Sequence, residues 1–327
     1  MQIDSARELK ARLGARIAGW QEPVGARGLA PGRSWFRPAL GLALSGPGQA
    51  RLAIRVATPA DAAILLTGVA DAVRAQVDVR VIGPVRALPS PAGAPAVSPA
   101  DLQRRVRPLR PGLSVGHPAV TAGTLGGFVR HGGRPAILSN NHVLAAGGAA
   151  LPGDAALQPG PADRGTAADR VARLTAFERF SGGRDLVDAA VAALDEGVEH
   201  DPAAYPGGPL AAVVAHGEEV DPDEAVEKIG RTTGHTRGRI TAVEVDGVAV
   251  QYDDAVHTFD GQIEIEGTAG TFSAGGDSGS VIWRSSDRAP LALLFAGSEV
   301  GGAHGGGVTY ASPLSTVLDV LGVQWLG

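Results

Sequence analysis

Apolar residues recur along this chain in two rhythms. Near the start, Leu9, Leu13, Ile17 and Trp20 fall at helical intervals, with Ser5 and Glu8 at capping-box spacing ahead of them. The spacing predicts an amphipathic helix, read as one that packs on the protein rather than on a membrane. Leu52, Ile54 and Val56 then alternate with Arg51, Ala53 and Arg55, the pattern of a half-buried strand. Thr58 and Pro59 make a cap and first-turn pair before a helical stretch over residues 61 to 74, after which Val77, Val79 and Val81 alternate with Asp78 and Arg80. The result is a small strand, helix, strand unit. Residues 83 to 100, GPVRALPSPAGAPAVSPA, carry five prolines and little that can pack, which marks a linker or extended wrap and a boundary near residue 100.

Beyond about residue 115 the rhythm shortens to strands punctuated by glycine: TLGGFV, a turn at residues 131 to 134, AILSN, and later KIG, GRITAVEV, VAVQY, QIEIEG, SVIW and LALLFAG. Many short strands with one helix-like segment among them point to barrels or a sandwich rather than a parallel sheet. No repeat at a fixed period of 20 to 50 residues accompanies them.

Composition changes this picture in a few places. Hydrophobic residues reach 44 % but aromatics only 4 %, so the interior is built from Ala, Val, Leu and Ile. At 327 residues the chain is long enough for two or three packed units and a buried site. A net charge of -5 offers no basic footprint, so nucleic acid is not an expected partner. With no cysteine there is neither a thiol nucleophile nor a thiolate metal site. The N-terminus lacks the apolar core of a secretion signal and no run approaches a membrane span, so a cytoplasmic protein without a membrane partner is expected. The abundance of Ala, Gly and Pro, with lysine only at Lys10 and Lys228, reads as coding bias in a GC-rich bacterium.

Three local patterns carry chemistry. GGDSGS, residues 275 to 280, precedes the apolar strand Val281, Ile282, Trp283. A nucleophilic serine needs a tight turn, and glycine beside it lets backbone amides reach an oxyanion, here those of Gly276 and Ser278. Alone, such a turn also occurs on ordinary surfaces. His142 ends the strand-like AILSNNHVLA, where a structural histidine is the competing reading. Asp188 precedes Ala-Ala-Val-Ala, which predicts a buried carboxylate in need of a donor such as an imidazole N–H, with Asp185 as its competitor. The chain order His142, Asp188, Ser278 is that of chymotrypsin rather than of subtilisins. The α/β-hydrolase order fails, because the elbow's last glycine position holds Ser280 and only His304 follows Ser278 as a base. His304 in GGAHGGG and the histidines at 117, 131, 200, 216, 235 and 257 form no metal spacing. No cofactor and no metal is expected.

Together, GTLGG at residues 123 to 127, SNNHVLA, VDAAVAALD, KIGRTTG and GGDSGS resemble the chymotrypsin-like serine proteases, and most closely the plant narrow-leaf serine proteases and their bacterial relatives. The resemblance covers residues 115 to 325. It implies a mainly β fold of two six-stranded antiparallel β-barrels, preceded by a small α/β N-terminal domain. Its expected division is residues 1 to 100 as that domain, with a Pro-rich linker from about 83. Residues 101 to 327 form the protease domain, with one barrel at about 115 to 200 and the other at about 225 to 325. It implies a serine endopeptidase with His142 as base, Asp188 as its orienting carboxylate and Ser278 as nucleophile. A protein or peptide is the implied substrate, and a homo-oligomer is compatible with the sequence.

Some family features are missing. No activation cleavage site precedes the barrels, so Asp277, which an activated family N-terminus would pair with, is expected to be held by another group. Phe295 stands where the family's serine supports the catalytic aspartate, ahead of Ala296 and the substrate-pairing Gly297, so either that alignment slips or another donor supports Asp188. Phe272, six residues before Ser278, and Gly307 suggest an uncharged pocket before the scissile bond. Two other readings are open: a binding or scaffold module with an unused triad, and an N-terminal unit that inhibits the site or selects its substrates.

Overall fold

The structure, a computed structural model, describes residues 1 to 18, 37 to 67, 74 to 87, 100 to 218, 220 to 253 and 255 to 327. The opening helix spans Ile3–Ala18 and buries Ala6, Leu9, Leu13 and Ile17. Trp20 lies outside the described residues. The helix starts two residues before Ser5, so the expected capping box is not its start. Gln2 instead bridges to Gln49, and the Ile3 amide donates to the Gly48 carbonyl at 2.9 Å.

The helix lies on a hairpin of strands Ala39–Gly46 and Gln49–Val56, its leucines meeting Leu40, Leu52 and Ile54. Helix Pro59–Leu66 follows, with Thr58 and Asp61 forming a reciprocal capping box. The expected helical stretch continues to residue 74, which is helical, but residues 68 to 73 lie outside the described part. Strand Val77–Val81 then returns parallel to Gln49–Val56, completing the expected strand, helix, strand unit.

The rest is two antiparallel β units. The first is a six-stranded sheet in the order Gln324–Leu326, Gly127–His131, Arg134–Ser139, Ala190–Leu194, Arg170–Phe177, Ala155–Leu157. Its central hairpin turns on Gly132 and Gly133 at φ 53° and 81°, the double left-handed conformation of a two-residue turn. Its core joins Leu113, Val115, Phe128, Ile137, Val171 and Leu174. One edge comes from the end of the chain, past helix Leu314–Leu321.

The second unit is a closed ring of six antiparallel strands: Ala225–Gly230, Gly234–Asp246, Gln262–Gly267, Gly307–Pro313, Pro290–Gly301 and Val281–Arg284, the last pairing back onto the first. The mainly β, two-barrel fold with a small α/β unit before it is therefore present.

The α/β unit adds to this second sheet. Leu40 and Leu42 pair with Asp246 and Val243, and Arg55 forks onto Glu264 with both side chains fully buried, at 2.7 and 2.8 Å. Glu264 also accepts Tyr310 O–H at 2.9 Å and Thr241 O–H at 2.7 Å, so the buried charge is fully paired. Residues 85 to 87, expected within a linker with little to pack, instead form the strand Val85–Ala87, with Val85 and Ala87 buried. Among the described residues no helix is long and apolar enough to cross a membrane.

Candidate active site

Ser278 sits in the turn leading into Val281–Arg284. The turn closes through Asp277 N–H to the Ala274 carbonyl and Ser280 N–H to the Asp277 carbonyl, both at 3.0 Å. Gly276 and Gly279 hold φ values of 94° and 93°, a conformation that L side chains avoid. Space forbids a side chain there as well. A Cβ at 276 would stand 2.3 Å from Arg231 Nη1, and one at 279 would stand 2.1 Å from Ser139 Oγ. Among the described residues the Gly276 and Ser278 amides have no acceptor. They are two free donors on one tight turn.

Asp277 fixes this turn from inside the second barrel. Its carboxylate accepts from the amides of Thr232, Thr233 and Ala274 at 2.9, 3.2 and 3.0 Å and from Thr233 Oγ1 at 2.6 Å. Lys228 Nζ lies 3.3 Å away with both side chains fully buried, and it also donates to Thr233 Oγ1. Burial pushes the Lys228 ammonium below its usual pKa, and Asp277 opposes that shift. Gly230 makes the approach fit, since a Cβ there would be 2.3 Å from Asp277 Oδ1. This is what KIGRTTG does: the partner of Asp277, left unnamed by the sequence, is Lys228 with the turn after it.

The first barrel meets the same turn. Thr124 N–H donates to the Ser278 carbonyl at 2.8 Å and Thr124 O–H to the Gly276 carbonyl at 2.9 Å. A Cβ at Gly126 would lie 2.1 Å from the Gly279 carbonyl oxygen, which explains the glycines of GTLGG.

His142 and Asp188 are brought together by register. Arg134–Ser139 pairs with Ala190–Leu194 so that Ser139 faces Ala190, and continuing past both ends sets the turn Asn141–Leu144 beside Asp188. The His142 Nδ1–H donates to Asp188 Oδ2 at 2.5 Å, and the His142 amide to Oδ1 at 3.2 Å. An ionised Asp188 assigns the imidazole proton to Nδ1 and leaves Nε2 as a lone pair. Nε2 is buried and has no hydrogen-bond partner among the described residues. Asp185, the competing acid, accepts from Ser181 N–H and O–H at 2.8 and 2.6 Å and closes its own loop.

Sequence reasoning missed Tyr252. Its O–H donates to Asp188 Oδ2 at 2.7 Å, and its ring meets the His142 ring edge-on at 5.7 Å. It is the donor needed once Phe295 replaces the supporting serine. No motif marks it; the only signal is a tyrosine ending the VAVQY strand, where its hydroxyl needs a partner.

Ser278 Oγ is nearly inaccessible and donates to the Phe295 carbonyl at 3.4 Å, not to His142 Nε2. Phe295 lays its ring against Phe259, with centroids 4.8 Å apart, in the barrel core. Ala296 and Gly297 follow along the edge and pair with Ala87 and Arg86. Phe272 is buried among Ile240 and Ile265 under Lys228, and its carbonyl accepts Thr236 O–H at 2.8 Å. Gly307 faces Gly301, where a Cβ would be 1.6 Å from the Ser298 carbonyl oxygen. Among the described residues no cluster of three metal-binding side chains occurs.

No protein-family model and no curated protein matches the chain. Among solved structures it is similar to protease A of Thermobifida fusca, at 18 % identity and a TM-score of 0.46, over 67 % of this chain and 99 % of that one. It is also similar to a chymotrypsin of Cellulomonas bogoriensis, at 20 % identity and 0.44, over 67 % and 99 %. A Nocardiopsis protease is similar at 16 % identity and 0.48, over 67 % and 100 %.

Proposed function

We propose that this chain, built on two chymotrypsin-like barrels, is a serine endopeptidase that cleaves peptide bonds through an acyl-enzyme. The observation that carries the reading is His142: Asp188 holds its Nδ1 proton, and its Nε2 lone pair stays buried and unpartnered at the seam that also carries Ser278. The reading requires that Ser278 Oγ, turned about χ1 away from the Phe295 carbonyl, reach that lone pair. Resting hydrogen bonds of this kind are often unformed before substrate arrives.

In the proposed reaction Nε2 accepts the Ser278 proton as Oγ attacks the peptide carbonyl carbon. The Gly276 and Ser278 amides receive the oxyanion, and Asp188 and Tyr252 keep the imidazolium oriented. The proton then passes from Nε2 to the leaving amine, the C–N bond breaks, and water repeats the sequence on the ester. Substrate backbone is assigned to the edge formed by Phe295, Ala296 and Gly297. An uncharged side chain before the scissile bond belongs to the proposal, because Phe272 stands where an acid would select Arg or Lys.

The decisive test is Ser278→Ala together with labelling by a fluorophosphonate. The substitution is expected to lower kcat on the order of 10⁶-fold with an unchanged melting profile, and labelling is expected to vanish with it. Peptidase activity that survives the change, or a native chain that never labels, would favour the scaffold reading.

A further inference from the structure

The edge assigned to substrate backbone is already paired. Strand Val85–Ala87 runs antiparallel to Pro290–Gly301, with Ala87 opposite Ala296 and Arg86 opposite Gly297. On its other side it runs parallel to Val248–Gln251, with Val85 opposite Val250 and Arg86 opposite Gln251. Ala296 and Gly297 follow directly on Phe295, whose carbonyl lies 3.4 Å from the nucleophile's Oγ. The direction matters: passing from residue 86 to residue 87, the segment advances toward Phe295 and Ser278. An acyl-donating peptide must run the same way to present its carbonyl to Ser278.

The slot is shaped for an extended chain. Val85 and Ala87 point into a cluster with Phe295, Ala296, Tyr252 and Val250, while Arg86 between them is exposed. Two strands offer ladder groups to one three-residue segment, so backbone pairing with alternate side-chain burial holds it. The segment is tied close by. The Ile82 amide donates to the Val56 carbonyl at 2.9 Å, and Gly83 turns the chain at φ 66°. Gly301 admits this arm, since a Cβ there would be 2.7 Å from Ile82 Cγ2 and 3.0 Å from the Val81 carbonyl oxygen. A short tether gives the segment a high effective concentration at the slot.

We infer that Val85–Ala87 is a built-in occupant of the substrate slot, and that a peptide reaches Ser278 only in molecules where this strand has left the Ala296 and Gly297 edge. The inference rests on the peptidase reading above and adds its regulation. Occupancy by a tethered strand is competitive, so it raises the apparent KM by the reciprocal of the open fraction and leaves kcat at saturation unchanged.

Two variants of the full chain test it. Ala87→Pro removes an amide from a strand paired on both sides, a place proline does not occupy. It is expected to lower KM for a peptide substrate by at least about tenfold with kcat within about twofold, the signature of a vacated slot. A KM that stays put or rises in the folded variant overturns the inference. Because the native chain has no cysteine, Val85→Cys with Val250→Cys adds a single cross-strand pair away from the Ala296 edge, and oxidation would lock the segment in place. Peptide cleavage should then fall at least about tenfold on oxidation and return with reductant. Labelling of Ser278 by a small fluorophosphonate, which has no backbone to pair, should persist in both states. Equal peptide turnover in the two states, with labelling intact and no free thiol in the oxidised form, refutes inhibition while sparing the peptidase reading. No labelling in any form removes the peptidase reading, and this inference with it.

Discussion

Tyr252→Phe isolates one hydroxyl whose contribution can be worked out. The ring stays edge-on to His142, and what disappears is the 2.7 Å donation to Asp188 Oδ2. A hydrogen bond to a buried charge contributes about 1.5–3 kcal/mol. Asp188 keeps the His142 Nδ1–H on Oδ2 and the His142 amide on Oδ1, so imidazole orientation survives and the lower end applies. At about 1.4 kcal/mol per decade, kcat/KM should fall about tenfold. The assay is kcat/KM, with urea unfolding alongside to separate loss of fold from loss of rate. A variant within about twofold of the native rate would refute the assignment of Tyr252 as the positioning donor.

Three further perturbations follow from the same contacts. Lys228→Met leaves Asp277 buried without its counter-charge, which should cost about 3–5 kcal/mol in urea unfolding; a loss under about 1 kcal/mol would mean the Thr232 and Thr233 donors suffice. Gly126→Ala puts a Cβ 2.1 Å from the Gly279 carbonyl oxygen, so the nucleophile turn must shift. A displacement of about 1 Å should lower kcat about 100-fold, beyond the about 1–3 kcal/mol that the backbone shift costs in unfolding, and an unaffected kcat in the folded variant counts against that fit. Burial pushes the Glu264 carboxyl up, Arg55 together with Thr241 and Arg80 pulls it down, and the net lies below the ordinary value of 4.5. The pairing therefore stabilises the fold above that value and is lost as pH falls through the depressed one. Thermal melts should show Glu264→Gln less stable near neutrality and less sensitive to acid; an acid profile parallel to the native one would refute the pairing's role.

What the sequence made legible was local turn chemistry. GGDSGS, KIGRTTG and GTLGG each constrain a few consecutive backbone angles, and Gly123, Gly126, Gly127, Gly230, Gly276 and Gly279 are demanded by contacts under 3 Å that a Cβ would meet. Likewise the alternation in residues 51 to 56 and 77 to 81 marked strands correctly, although the structure buries residues 52 to 56 on both faces and leaves residues 77 to 80 half-buried, so the alternation did not report which face is covered. What failed was non-local. Residues 85 to 87 read as linker because three residues between prolines are too few to show a period, and only the neighbours at 250 and 296 make them a strand. Tyr252 was invisible as a site residue because its contact with Asp188 spans 64 positions and depends on two barrels meeting. The strand Gln324–Leu326, which edges the first barrel, lies far in sequence from its partner Gly127–His131.

The seam itself explains why neither barrel could carry this site alone. The Ser278 turn belongs to the second barrel, where Lys228 and the 232 to 233 amides hold Asp277, yet its outer carbonyls are received by Thr124 of the first. His142 belongs to the first barrel by strand register, yet Asp188, which pairs with its Nδ1, takes a hydroxyl from Tyr252, beyond strand Val248–Gln251. Each half thus depends on a donor supplied by the other. A small sliding of one barrel over the other would loosen the Ser278 turn and the His142 pair together rather than one at a time. Val85–Ala87 pairs beside both, on Val250 and on Ala296, so the segment that fills the slot also braces the Tyr252 side of the seam. The unchanged kcat expected of Ala87→Pro therefore requires that Tyr252 keep its hold on Asp188 when the strand leaves, and a kcat that falls with the KM would mean the brace is needed for both.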